Sequence, residues 1–167
     1  MGQSFSAMRK QLEKENICDC LKGRIKYFLT LYRESDDGWE GRMSVSIDNE
    51  EVFKSNTHEW HRLSGELWHN GNRDYEKRNI GCHKEGVIDI CSFYKSFYFY
   101  QNHSIHESLA SDDALIRLFA ILDKRVGKRT LKELQPALKM QPEWLQVFYR
   151  LRLEAEGILP TKKTNEC

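Results

Sequence analysis

The feature that most constrains this chain is a change of hydrophobic period partway along it. Ile25, Tyr27, Leu29 and Leu31 alternate with Lys26, Phe28, Thr30 and Tyr32, and Met43, Val45 and Ile47 alternate with Arg42, Ser44, Ser46 and Asp48. A period of two makes each run a strand with one buried face, because successive side chains leave a strand on opposite sides. The polar stretch from Glu34 to Gly38 separates the runs, and the spacing predicts that they pair across the turn at 34–40. Ile25, Tyr27, Leu29, Met43, Val45 and Ile47 are then expected on one covered face. Asp48-Asn49 tolerates the positive φ of a tight hairpin, and Val52-Phe53 is read as a short third strand.

Elsewhere the period is that of helices. Ser6–Ile17 reads as a short amphipathic helix. Thr57 is an N-cap candidate for a helix carrying Trp60, Leu63, Leu67 and Trp68 on one side. Residues 70–86, with three glycines and few apolar residues, read as one long loop. Ile90, Phe93, Tyr94, Phe97 and Tyr98 recur at helical spacing, although Ser96–Tyr100 also has the look of an aromatic strand, and helix is favoured. Ser104 with Glu107 and Thr130 with Glu133 read as capping boxes. Ser111-Asp-Asp113 opens a helix carrying Leu115, Leu118, Phe119, Leu122 and Val126, closed by Gly127. Pro142 fits the first position of a last helix, stopped by Gly157. The expected class is α+β: a small antiparallel N-terminal β-meander packed by about five or six helices, with the C-terminal half all helical. Residues 1–160 form one domain and 161–167 a polar tail.

With 167 residues there is room for one core. Twenty-six basic against 25 acidic residues leave a net charge of +1, which argues against a dedicated nucleic-acid or membrane-surface protein. No apolar run approaches the roughly 20 residues of a bilayer span, and Met1–Lys14 lacks the apolar stretch of a secretory signal. The five cysteines, Cys18, Cys20, Cys82, Cys91 and Cys167, are odd in number and irregularly spaced, as expected of free thiols in a reducing, cytoplasmic setting.

The sharpest functional candidate is the basic segment Lys124, Arg125, Lys128, Arg129 and Lys132, whose cations suit phosphate contact. The competing expectation is structural: at least two of the five pair with Asp123, Glu133 or other acids. For metal, His58, His61, His69, Cys18-x-Cys20 and Cys82-His83 offer ligands, but one intervening residue departs from the usual zinc spacing, and no metal site or cofactor is assigned. No nucleophile elbow, P-loop or dinucleotide fingerprint occurs, and Asp112-Asp113 reads as a pair of first-turn acids, so no catalytic residue is assigned. The aromatic series from Phe93 to Tyr100 is chiefly core. Its excess of rings leaves Tyr75, Tyr98 and Tyr100 as candidates for a partner-binding surface.

Two blocks carry a resemblance. One runs Leu21-Lys-Gly-Arg-Ile-Lys-Tyr27 and on through Glu40-Gly-Arg-Met-Ser-Val-Ser-Ile-Asp48. The other is Asp113-Ala-Leu-Ile-Arg117 with Leu122-Asp-Lys-Arg-Val-Gly-Lys-Arg-Thr-Leu131 and Leu151-Arg-Leu-Glu-Ala-Glu-Gly157. Together they resemble a family of small uncharacterised bacterial proteins, mainly Gram-positive. The resemblance implies one domain in a bacterial cytoplasm and brings no activity, cofactor or site. The function expected is that of a non-catalytic accessory protein whose partner is another protein. The alternatives are a nucleic-acid-binding module using residues 124–132 and an unrecognised Cys/His enzyme.

Overall fold

The structure, a computed structural model, describes residues 2–32 and 40–161. The expected turn at 34–40 lies almost wholly outside these residues, as does the tail beyond Thr161. Three antiparallel strands, β1 (Ile25–Leu31), β2 (Gly41–Ile47) and β3 (Glu50–Asn56), form one sheet in the order β1-β2-β3. The register sets Tyr27 opposite Val45 and Val45 opposite Phe53. Asp48 and Asn49 take positive φ, 52° and 69°, which lets β2 reverse into β3 in two residues. A bulge between Val45 and Ser46 shifts the register of β3 and leaves Val52 exposed.

The six residues expected on one face are there: Ile25, Tyr27, Met43 and Val45 are buried, and Leu29 and Ile47 pack on the same core. Helices cover that face and pack behind it. They are α1 (Phe5–Lys10, extended by a π-helical turn over Gln11–Glu15), α2 (Thr57–His69), α3 (Tyr75–Lys84), α4 (Ile90–Asn102), α5 (Ile105–Leu109), α6 (Ala114–Leu122), α7 (Lys128–Leu134) and α8 (Glu143–Ala155). Every residue of α6 except Arg117 is buried, and the helix packs against α3, α4, α5 and α8. Phe119 is where sheet and helices meet. Its ring touches those of Tyr27, Phe93, Phe97 and Tyr100 at centroid distances of 5.5–6.1 Å. That contact explains why residues 90–102 are a helix: as a strand, Phe93, Phe97 and Tyr100 would not share a face.

Several expectations need correction. Residues 70–86 are not one loop, because α3 occupies most of them, with Asp74 as N-cap accepting from the backbone N–H groups of Glu76 and Lys77. Its apolar pattern is missing because it buries Asn79, Cys82 and His83 instead. Asn56, not Thr57, caps α2, and the Thr57 hydroxyl bonds Gly41 of β2. The helix expected to reach Val126 ends at Leu122. Asp123 turns extended there to bridge Ile17, with Lys124 N–H donating to Asn16 O and Cys18 N–H to Leu122 O. Gly127 therefore starts α7 rather than closing α6, and Thr130 lies inside α7 rather than capping it. The capping box of Ser104 and Glu107 is present with both reciprocal bonds, and Gly157 ends α8 at φ +72°.

Candidate functional site

The last turn of α3, the middle of α4 and the start of α6 bring three polar side chains together in the interior. His83 Nδ1 lies 2.7 Å from Asp113 Oδ1, and the Ser96 hydroxyl donates to Asp113 Oδ2 at 2.6 Å. Asp113 is also the N-cap of α6, accepting from Leu115 N–H at 2.8 Å, and its own N–H donates to Ser111 Oγ. One carboxylate thus answers an imidazole, a hydroxyl and a helix terminus.

Burial by itself works to raise the Asp113 pKa. The charge of His83, with hydrogen bonds from His83, Ser96 and the Leu115 N–H, more than offsets it and holds the carboxyl below its ordinary value. A carboxylate fixed as an anion selects the tautomer or charge state of His83 that carries a proton on Nδ1. His83 is held from the other side as well, since the Trp144 indole N–H donates to its carbonyl oxygen at 3.0 Å.

Nε2 of the same ring makes no hydrogen bond, although His83 is 1% exposed. A buried polar atom without a partner costs about 1–3 kcal/mol, so such atoms are scarce unless something meets them. Here a cavity of about 200 Å³ adjoins the ring, lined also by Asn79, Lys95, Ser111 and Ile116. Lys95 stands over the Tyr75 ring at 4.4 Å. The Ser96 hydroxyl is directed to the carboxylate and not to the imidazole, so the three groups do not form the relay of a serine nucleophile.

The residues singled out in the sequence fall in different places. Arg125 embraces the buried Asp123 through Nε and a terminal nitrogen, at 2.8–3.1 Å, and stacks over Tyr100. Arg129 pairs with Glu133 at 3.2 Å. Two of the five cations are thus paired with acids, as the structural expectation required, while Lys124, Lys128 and Lys132 are exposed. Of the candidate partner tyrosines, Tyr100 is buried and its hydroxyl donates to Asp123, so it offers no surface edge. Tyr98 accepts from the N–H of Gln3 at 2.8 Å and holds the N-terminal segment. Tyr75 is half-buried beside Lys95 and thus near the His83 cavity.

The sequence pointed to Cys82-His83 only as soft ligands and to Asp113 only as a first-turn acid. Nothing in spacing links His83, Ser96 and Asp113. The one local signal is an Asp two residues before the apolar Leu115-Ile116 pair, which marks a cap and not a site.

Fold and site together define a single-domain α+β protein in which a histidine–aspartate pair is built into the helical layer beside a cavity. The chain belongs to the SF0329 protein family, an uncharacterised family whose profile matches residues 4–153. No curated protein and no solved structure matches the chain. Among the described residues no helix is long and apolar enough to cross a membrane, and Cys18, Cys20, Cys82 and Cys91 are free.

Proposed function

We propose that this chain is a non-catalytic accessory protein that takes a small hydroxyl-bearing molecule into the His83 cavity. The observation that carries this reading is the unpartnered Nε2 of a buried imidazole whose other nitrogen is fixed by Asp113. Nδ1 carries the proton shared with Asp113, and a ligand hydroxyl can meet Nε2 in either charge state, donating to the lone pair of the neutral ring or accepting from the N–H of the imidazolium. Asn79, Lys95 and Ser111 supply further polar contacts, and Ile116 an apolar wall. Free thiols support a reducing, cytoplasmic setting. A role toward a protein partner fits the same site, since Tyr75 beside Lys95 would carry ligand occupancy to the surface.

The test is a ligand-observed NMR and thermal-shift screen of polyols, hydroxy acids and nucleosides against wild type and His83→Gln. Binders that stabilise wild type and lose affinity by roughly tenfold or more in the variant are expected, the size of one lost buried hydrogen bond. Imidazole ¹⁵N shifts should show Nδ1 protonated in the free protein and Nε2 moving on binding. Binders indifferent to His83→Gln, or an Nε2-protonated neutral ring, would overturn the reading.

A further inference from the structure

A second cluster lies apart from the His83 cavity, where the segment leading into β1 meets the end of α8. Cys18 is buried and opens a short 3-10 turn over Asp19–Leu21, and Cys20 sits within that turn. The Cys20 thiol lies 3.3 Å from Cys18 Sγ and 3.4 Å from Glu156 Oε1. One ligand atom from each of the three residues falls within 4.8 Å of the other two. Glu156 is the C-cap of α8, 136 residues from Cys20, so tertiary structure and not local spacing assembles the group. Its carboxylate is held in turn by Arg152, at 3.2 Å. Arg152 is 2% exposed and anchored on the carbonyl oxygen of Val126 at 2.8 Å. The third ligand is therefore positioned by a buried guanidinium, the kind of outer support that orients metal ligands.

We infer that Cys18, Cys20 and Glu156 form a binding site for a thiophilic divalent cation of the zinc class, with water in the fourth position. The distances fit that chemistry. Zinc bonds of about 2.3 Å to sulfur and 2.0 Å to oxygen, at tetrahedral angles, set ligands about 3.8 Å (S to S) and about 3.5 Å (S to O) apart. The thiols need open by only about half an ångström from 3.3 Å, and the 3.4 Å separation already matches. Cys20 and Glu156 are not closed off, which leaves an approach for the ion and room for the water.

Charge closes as well. Two thiolates and a carboxylate carry three negative charges, and a divalent ion with Arg152 carries three positive ones. Binding is a proton exchange: each thiol gives its proton to solvent as its sulfur–metal bond forms, and no oxidant or reductant takes part. In the resting protein, burial, then the Cys18 thiol and Glu156, push the Cys20 thiol up to about 12. The Cys-x-Cys spacing, too tight for the usual zinc hairpin, works here because it supplies only half of the ligand set.

The experiment is titration of the full-length reduced protein with Co²⁺ and Zn²⁺, competed against a chromophoric chelator, with a phosphine reductant present throughout. Wild type is expected to take up one equivalent of Co²⁺ with thiolate-to-cobalt charge transfer in the near ultraviolet and the intense visible bands of a four-coordinate ion. Cys20→Ser should abolish the charge-transfer signature, and Glu156→Gln should weaken binding by about tenfold or more. Circular dichroism of both exposed-site variants verifies that they fold, and Cys91→Ser and Cys167→Ser serve as controls that should titrate like wild type. Octahedral weak bands without charge transfer, uptake unaffected by Cys20→Ser, or loss of uptake in the Cys91→Ser or Cys167→Ser control would overturn the assignment.

Discussion

The helix α6 begins and ends on a buried aspartate, and the two are not used alike. Asp113 stands at its N-terminus and Asp123 at its C-terminus, with nine residues between them. A negative charge is welcome at the first position, where it answers free N–H groups and the positive end of the helix dipole. At the second it is unwelcome, and Asp123 tolerates its position through Arg125, the Tyr100 hydroxyl and the Arg125 backbone N–H, which surround the carboxylate. Each of those partners belongs to the fold, and the space beside Tyr100 and Asp123 is too tight to admit even a water molecule. Asp113 has a comparable set of bonds, yet one of them passes its charge to His83, whose far nitrogen meets no protein group. A polar cluster whose members are all satisfied rigidifies a core, and one that stops an atom short of completion marks where something else belongs.

The largest effect should come from the complete cluster. Asp123→Asn removes the charge that Arg125 and Tyr100 share inside the core, and we expect a loss of about 3 kcal/mol in urea unfolding at neutral pH. No ligand-dependent change should accompany it beyond that stability loss. Asp113→Asn should cost less, about 2 kcal/mol, because the side chain keeps an oxygen for the helix cap while the ionic bond to His83 is lost. Its loss should also depend on acidity. The folded pKa of Asp113 lies below its unfolded value. The stabilisation is therefore full above the unfolded value near 4 and fades as pH falls through the folded one, so wild type and Asp113→Asn should converge in acid. Equal cost for the two substitutions, with no convergence, would erase the distinction between the ends of α6.

This contrast also shows what the sequence could and could not disclose. The sheet was legible because Tyr27, Val45 and their neighbours obey a period of two, and period is local information. The hairpin at Asp48-Asn49 and the box at Ser104 were legible from local chemistry, whereas the spacing of α4 favoured a helix without settling it against an aromatic strand. Helix α3 was not legible, and its failure is connected to the site: it turns Asn79 and His83 inward, toward Trp60 and Asp113, so polar residues occupy the stripe where apolar ones are sought. The end of α6 was misread because Leu122 and Val126 keep helical spacing although Asp123 leaves the helix to pair with Ile17, a contact 106 positions away. His83, Ser96 and Asp113 come from three helices, and only the packing of α3 and α4 against α6 brings them together.

Ser96 sharpens the comparison on a smaller scale. Its hydroxyl donates only to Asp113, so Ser96→Ala should cost about 1 kcal/mol and leave the carboxylate with one donor fewer. The acid convergence described for Asp113 should then begin at a slightly higher pH, since a bond that lowers the folded pKa is gone. A variant with an unchanged acid limb would mean that His83 and the Leu115 N–H hold the charge without Ser96.

The smallest effect is expected where the basic segment leaves the Asp123 cluster. Arg125 and Arg129 both face an acid, but their environments differ: the Arg125 partner is 0% exposed, whereas Arg129 and Glu133 are 94% and 64% exposed. Water screens the second pair and solvates either member once the other is gone, so Arg129→Ala should change stability by no more than about 0.5 kcal/mol. The pair spans one helical turn, i to i+4, and with Arg129 ahead of Glu133 it has the less favourable orientation against the helix dipole. Salt supplies the check, because an exposed pair weakens with ionic strength and a buried contact does not. Urea unfolding of wild type and Arg129→Ala at low and at high salt should give curves that coincide at high salt. A loss above about 1 kcal/mol that survives high salt would place Arg129 among the structural cations with Arg125. The exposed remainder of the segment, Lys124, Lys128 and Lys132, would then be the part of it left open to a phosphate.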